Sequence, residues 1–145
     1  MGGLADQTQT DPNPMTAELT TLALAALLLA AQFIPFSILA NRDLTPGYTS
    51  SPRDRPPSRQ MSILTARLQR ALNNHFESLI LFTIAVVVVI LGNQSTTTTQ
   101  NAAYIYLAAR VLYVPAYALG WRPWRSAIWV VGFAATFTMI IASLI

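Results

Sequence analysis

Apolar and polar positions alternate along this chain in long blocks rather than residue by residue. Four apolar stretches stand out, at about 18–40, 61–91, 101–120 and 124–144. Each is long enough, or nearly so, to cross a hydrocarbon layer that needs ~20 residues of helix. The pattern predicts an all-α integral membrane protein, a single domain over 17–145 built as a four-helix bundle. Residues 1–16 are polar, rich in small residues and broken by Pro12 and Pro14; that composition predicts a disordered external tail.

The second stretch is the most uneven. Its first half carries Arg67, Arg70, Asn73, Asn74, His75 and Glu77, and its second half, Ser78–Leu91, is almost pure hydrocarbon. No Pro or Gly interrupts Met61–Leu91, so one long helix is expected. At about 3.6 residues per turn, Arg67, Arg70, Asn74 and Glu77 fall on one face. Such a polar stripe on a helix entering a membrane faces a bundle interior or a water-filled cavity; the plainer alternative is a solvated helix start. His75 lies about 100° from Asn74, off the centre of the stripe, and reads as a packing or interfacial residue. With no second His and no Cys, no metal site is expected.

The third stretch carries Tyr106, Arg110, Tyr113 and Tyr117 at i, i+4, i+7 and i+11, a single stripe. Arg110 lies about 15 Å along its helix from Gln100, and Glu77 about 21 Å from Leu91. Those depths differ by roughly one turn, and neither residue has another obvious partner of opposite charge. A Glu77–Arg110 ion pair linking the two helices is therefore expected, because an ion alone in hydrocarbon is costly. In the first and fourth helices, Pro35 predicts a kink and Gly132 a point of close packing.

The connections differ in character. Asn41–Arg59 is rich in Pro and small residues, which excludes a regular helix. Its Ser51–Arg55 core either folds over the mouth of the bundle or is a solvated loop whose arginines fix topology and meet anionic lipid. Gly92–Gln100 is neutral, with a Thr96–Thr99 run, and reads as an external hairpin without function. Gly120–Ser126 has two tryptophans suited to anchoring at the membrane interface.

Composition changes this picture in one respect. The chain has 145 residues, 53% hydrophobic and only 10% charged, and its nine positive residues are all arginine. Six lie in or near the first connection and two in the third, which places both termini outside and these connections in the cytoplasm. The net charge of +3 thus reports topology, and nucleic acid has no better claim on it. Without basic residues ahead of the first apolar stretch, a cleaved secretory signal is not expected.

The spacing Arg70-Ala71-x-x-Asn74-x-x-Glu77, then Arg110-Val111-x-Tyr113-x-x-x-Tyr117 and Arg125-Ser126, resembles the MAPEG family. These are membrane-associated proteins in eicosanoid and glutathione metabolism. The loop pieces Arg42-Asp43-Leu44 and Ser51–Asp54 resemble its bacterial branch. The resemblance implies a homotrimer in a bacterial inner membrane, with glutathione as co-substrate bound between neighbours near the cytoplasmic face. Arg70, Asn74 and Glu77 match glutathione-holding positions, and Tyr113 and Tyr117 match further tripeptide or substrate contacts. Arg125, with Ser126, matches the position that stabilises the thiolate. Ser78 stands where the family has an aromatic residue, and Ile80 where it has a proline. The function implied is a glutathione-dependent transferase or peroxidase for lipophilic small molecules, electrophiles or hydroperoxides. A non-enzymatic scaffold or lipid-binding protein is the alternative, and a small exporter a weaker third.

Overall fold

A computed structural model describes residues 15–145, so the expected tail lies outside the described residues except for Met15 and Thr16. The described chain is all-helical: α1 (Ala17–Leu44), the single turn α2 (Pro46–Thr49), α3 (Ile63–Leu91), α4 (Thr97–Ala118) and α5 (Trp124–Ala142). Helices α1, α3 and α5 are long and apolar enough to cross a membrane. Helix α4 has 22 residues, yet its polar start (Thr97–Asn101) and Arg110 keep it from matching their hydropathy.

Helix α4 packs on α5 and α1, α1 on α3, and α3 on both α4 and α5. The core is made of small residues and a few large ones: Ala25, Phe82, Ala85, Val86, Val89, Ala102, Ala103, Tyr106, Ala135 and Met139. Alanine at the contacts lets helix backbones approach closely, which is how helices associate where lipid is as apolar as the side chains. Phe82 of α3 and Tyr106 of α4 stack with centroids 3.8 Å apart and planes 9° apart. The opposite faces, including Phe76, Ile80 and Ile84 on α3 and Val130 and Phe137 on α5, are exposed hydrocarbon.

Two carboxylates staple the ends of α1. Glu18 is fully buried and accepts from Thr99 Oγ1 (2.6 Å) and Ser95 Oγ (2.9 Å), joining the start of α1 to the start of α4. Asp43 accepts from the Ser62 backbone N–H (2.8 Å) and Thr65 Oγ1 (2.6 Å), joining the end of α1 to the start of α3. The first staple corrects the reading of Gly92–Gln100 as a hairpin without function. Thr96 and Thr99 form a reciprocal cap that starts α4 at Thr97, four residues before the expected 101. Ser95 and Thr99 then supply the hydroxyls that satisfy Glu18.

The first connection is also more ordered than its prolines suggest. Asn41–Leu44 extends α1, and Pro46 sits at the first position of α2, where its missing N–H costs nothing. Arg53 Nη2 donates to Thr49 O (2.9 Å) and Tyr48 Oη to Arg55 O (3.1 Å), folding the loop back on itself. A cavity of about 480 Å³ lies between this loop, the end of α1 and Met61 and Gln69.

Candidate functional site

The polar stripe of α3 faces the tyrosine stripe of α4 and the part of α5 from Arg125 to Thr136. Three cavities follow one another along this seam. The outermost, about 190 Å³, is lined by Arg67 and Arg70 of α3, Tyr117, Gly120, and Trp121, Arg122 and Arg125 of the following turn and α5. The middle one, about 250 Å³, is lined by Asn74, Tyr113, Tyr117, Arg125, Ser126 and Trp129. The innermost, about 150 Å³, has Asn74, Glu77, Ser78, Tyr106, Arg110 and Trp129 among its walls. Tyr117 and Arg125 are common to the first two, and Asn74 and Trp129 to the last two. A polar track thus runs inward along α3, α4 and α5.

Four guanidinium groups wall the outer cavity, and no carboxylate does. Tyr117 organises two of them: Arg125 stands 4.7 Å and Arg70 5.9 Å from its ring centroid. A ring face attracts a cation, so one tyrosine holds arginines from α3 and α5 toward the same space. Tyr113 meets Tyr117 edge-on at 5.5 Å. Arg67 is held differently: its Nη1 donates to Ala118 O (3.3 Å), at the end of α4. Gly120, with φ +72°, makes room for it, since a Cβ there would lie 2.8 Å from the guanidinium. The turn carrying Arg122 and Arg125 is thereby fitted around Arg67.

Deeper in, Arg110 is 1% exposed. Its Nη1 donates to Asn74 Oδ1 (3.0 Å), and its guanidinium lies 5.0 Å from the Tyr113 ring centroid and 5.6 Å from that of Tyr106. The expected Glu77–Arg110 ion pair is corrected here: within the protomer the partner of Arg110 is Asn74, and Glu77 is exposed at the rim of the same inner cavity. The physical reason is rotation about the α3 axis. Three residues advance the helix by about 300°, so Glu77 is offset by about 60° from Asn74. That offset turns Asn74 toward α4 and Glu77 outward.

The structure brings Arg70, Asn74, Tyr113, Tyr117, Arg125 and Ser126 to the neighbouring outer and middle cavities, with Glu77 and Arg110 at the inner one. Arg67, which the spacing puts on the polar stripe, joins the outer wall together with Arg122, which sequence spacing did not assign. His75 is indeed a packing residue: 1% exposed, its Nδ1 is 2.6 Å from Gln32 Nε2 of α1. No group of His, Cys, Asp and Glu among the described residues is suited to a metal ion.

Chemically, the track offers cations for carboxylates, an amide and hydroxyls for a peptide, and a fixed cation with a hydroxyl at Arg125 and Ser126. The model of the MAPEG family matches residues 17–145. No curated protein and no solved structure matches the chain.

Proposed function

The chain belongs to the MAPEG family, and from that premise we propose that this integral membrane protein is a glutathione-dependent transferase or peroxidase acting on lipophilic electrophiles or hydroperoxides. The observation that carries the reading is the outer pair of cavities, where Arg70, Arg125 and Tyr117 meet Asn74, Tyr113 and Ser126. Glutathione has two carboxylates, two peptide links and a thiol, and this wall has a counterpart for each. Planar guanidinium forks grip carboxylates through two parallel hydrogen bonds, the role given to Arg70 with support from Arg67 and Arg122. Asn74 and Glu77 hold the peptide and amino groups, and Tyr113 and Tyr117 pack against the backbone.

Arg125 and Ser126 face the thiol. A fixed cation favours the thiolate over the thiol, and a hydroxyl donor shares the charge. The thiolate is the form that attacks carbon electrophiles. With a hydroperoxide, two thiols are oxidised to a disulfide while the peroxide is reduced to an alcohol and water. The exposed hydrocarbon on α3 and α5 beside the track gives a lipophilic substrate access from the bilayer. We place the track at the cytoplasmic side, with both termini outside, on the arginine distribution. The proposed assembly is a homotrimer in which neighbours cover the exposed Arg70 and Glu77.

Two variants of the detergent-purified protein test the site. Arg70→Ala removes a charge-assisted contact worth about 1.5–3 kcal/mol and weakens glutathione binding first. Arg125→Ala leaves binding largely intact at saturating glutathione but abolishes the thiolate absorbance and slows turnover of a generic electrophile. Wild-type protein that binds no glutathione at millimolar concentration refutes the enzymatic reading.

A further inference from the structure

The cavity of about 480 Å³ beneath the first connection shares no lining residue with the three cavities of the track. Its chemistry changes along α1. Phe33 and Phe36 line the inner end, and Asn41, Tyr48, Ser50 and Arg53 line the end under the loop. Phe33 and Asn41 are eight residues apart on one helix, which is about 12 Å. A bilayer's polar headgroup layer is only about 5–8 Å thick on each side of its hydrocarbon core. With its polar end at the headgroups, the cavity therefore reaches several ångströms into hydrocarbon. Phe33 lines it and is still 54% exposed, so the inner end opens sideways to lipid.

Arg53 is the one charged residue among these walls, and no carboxylate joins it there. Its backbone is left-handed, with φ 61°, a conformation that a residue other than glycine keeps only where its surroundings impose it. Here the loop does so: Arg53 N–H donates to Ser51 Oγ (3.3 Å) and its Nη2 to Thr49 O (2.9 Å). The guanidinium is tied to the loop by one nitrogen, and its other N–H groups remain for a ligand. Asn41 Oδ1 accepts from Thr49 Oγ1, which leaves the amide N–H groups of Asn41 as donors beside it. A cation would be repelled by Arg53, and a plain hydrocarbon would leave both donor groups unanswered. A water-soluble anion would have no use for the phenylalanines. An amphiphile with an anionic head satisfies both ends.

We propose that this cavity binds an anionic phospholipid of the adjoining leaflet, its phosphate on Arg53 and Asn41 and the upper part of one acyl chain along Phe36 and Phe33. A volume of about 480 Å³ is that of a small-ligand pocket, so the head and upper chain enter while the rest stays in the bilayer. The charge around the site selects the lipid. Residues 41–60 carry four arginines against two aspartates, and Asp43 is already committed to Ser62 and Thr65. That surplus favours an anionic headgroup over a zwitterionic one. The lipid then clamps the first connection to α1 and, through Gln69 and Met61 on the opposite wall, to the start of α3. The inference does not rest on the glutathione reading.

Native mass spectrometry of the delipidated full-length protein tests this by counting bound molecules. The probes are phosphatidylglycerol and phosphatidylcholine with identical oleoyl chains, and glycerol phosphate, which has the head without the chains. Phosphatidylglycerol should saturate at one per protomer and bind about tenfold or more tighter than phosphatidylcholine, and glycerol phosphate should not bind at the same concentration. Arg53→Gln should weaken phosphatidylglycerol about tenfold. Arg59→Gln, in the same loop but outside the cavity wall, should change it less than about twofold. Ser37→Phe, which fills the cavity without touching Arg53, should weaken it severalfold at wild-type oligomer size. Equal binding of the two lipids, or equal losses in Arg53→Gln and Arg59→Gln, would reduce the loop to a diffuse charge and overturn the proposal. Glycerol phosphate binding as tightly as the lipid overturns it in favour of a soluble anion, and unchanged binding in folded Ser37→Phe places the lipid elsewhere. Should Ser37→Phe not fold, the comparison of Arg53→Gln with Arg59→Gln still decides.

Discussion

Arg110 is the buried cation that joins α4 to α3, and a pair of double-mutant cycles can say which residue holds it. The structure gives it one hydrogen bond, from Nη1 to Asn74 Oδ1 at 3.0 Å, and two ring faces at 5.0 and 5.6 Å. A hydrogen bond involving a charged group contributes about 1.5–3 kcal/mol. Each cation–ring contact adds about 0.5–2 kcal/mol, and these remain when Asn74 is removed. Asn74→Ala therefore strands one N–H of a buried cation and should cost roughly 2 kcal/mol. Arg110→Leu loses the rings as well, but leaves the half-buried Asn74 free to meet water in the adjoining cavity. The Asn74–Arg110 coupling should come out at about 1–2 kcal/mol.

Glu77 makes no ion-pair contact with Arg110 within the protomer and is exposed. Its coupling to Arg110 should stay below about 1 kcal/mol, as for solvent-screened charges. The assay is the thermal unfolding midpoint of the detergent-solubilised protein and its variants at two salt concentrations. Added salt should reduce the Glu77–Arg110 coupling and leave the Asn74–Arg110 coupling nearly unchanged. A Glu77–Arg110 coupling larger than that of Asn74 with Arg110 would refute the assignment and restore the direct ion pair.

Three further outcomes follow from the geometry. Glu18→Ala removes the shared acceptor of Thr99 and Ser95 and should cost about 2 kcal/mol, whereas Glu18→Gln keeps an acceptor and should cost about half that; equal losses in thermal stability would argue against the staple. Gly120→Ala meets both a positive φ and the Arg67 guanidinium, so it should lose about 1–3 kcal/mol, and pairing it with Arg67→Ala should recover only the steric part. Cysteines at positions 95 and 51 report topology: an impermeant reagent on intact cells should label Ser95→Cys and spare Ser51→Cys, and the reverse pattern overturns the assigned orientation.

The long helices were legible because unbroken apolar runs leave a membrane chain few alternatives. The site residues were legible as two stripes, since spacing along one helix fixes which side chains share a face. Spacing cannot fix how two helices are rotated against each other. Depth alone therefore paired Glu77 with Arg110, whereas rotation of α3 gave Arg110 to Asn74. The Gln32–His75 contact and the staples of Glu18 and Asp43 were hidden for the same reason: each joins residues far apart in sequence, with no local pattern to announce them. The cap at Thr96 and Thr99 is different. It is a local signal that was present in the Thr run and explains why α4 begins early.

The incomplete satisfaction of Arg110 bears on why the residue is there at all. If its task were only to join α3 to α4, a leucine or methionine packed against Tyr106 and Phe82 would do so without desolvating a cation, and such replacements are often neutral or stabilising. A purely structural arginine would also be expected to have its donors filled, as buried polar groups almost always are. Here one donor is filled by Asn74, two aromatic faces partly compensate the charge, Gly132 lets the guanidinium pack close against α5, and the buried Nε has no partner. Gly132 is the counterpart of that packing, since a Cβ there would lie 3.0 Å from Arg110 Nη2 and 3.3 Å from Ala109 Cβ. An arginine on α4 and a glycine on α5 are thus fitted to each other at one point. Packing accounts for the glycine, and the unfilled Nε is the part of Arg110 that a purely structural role leaves unexplained.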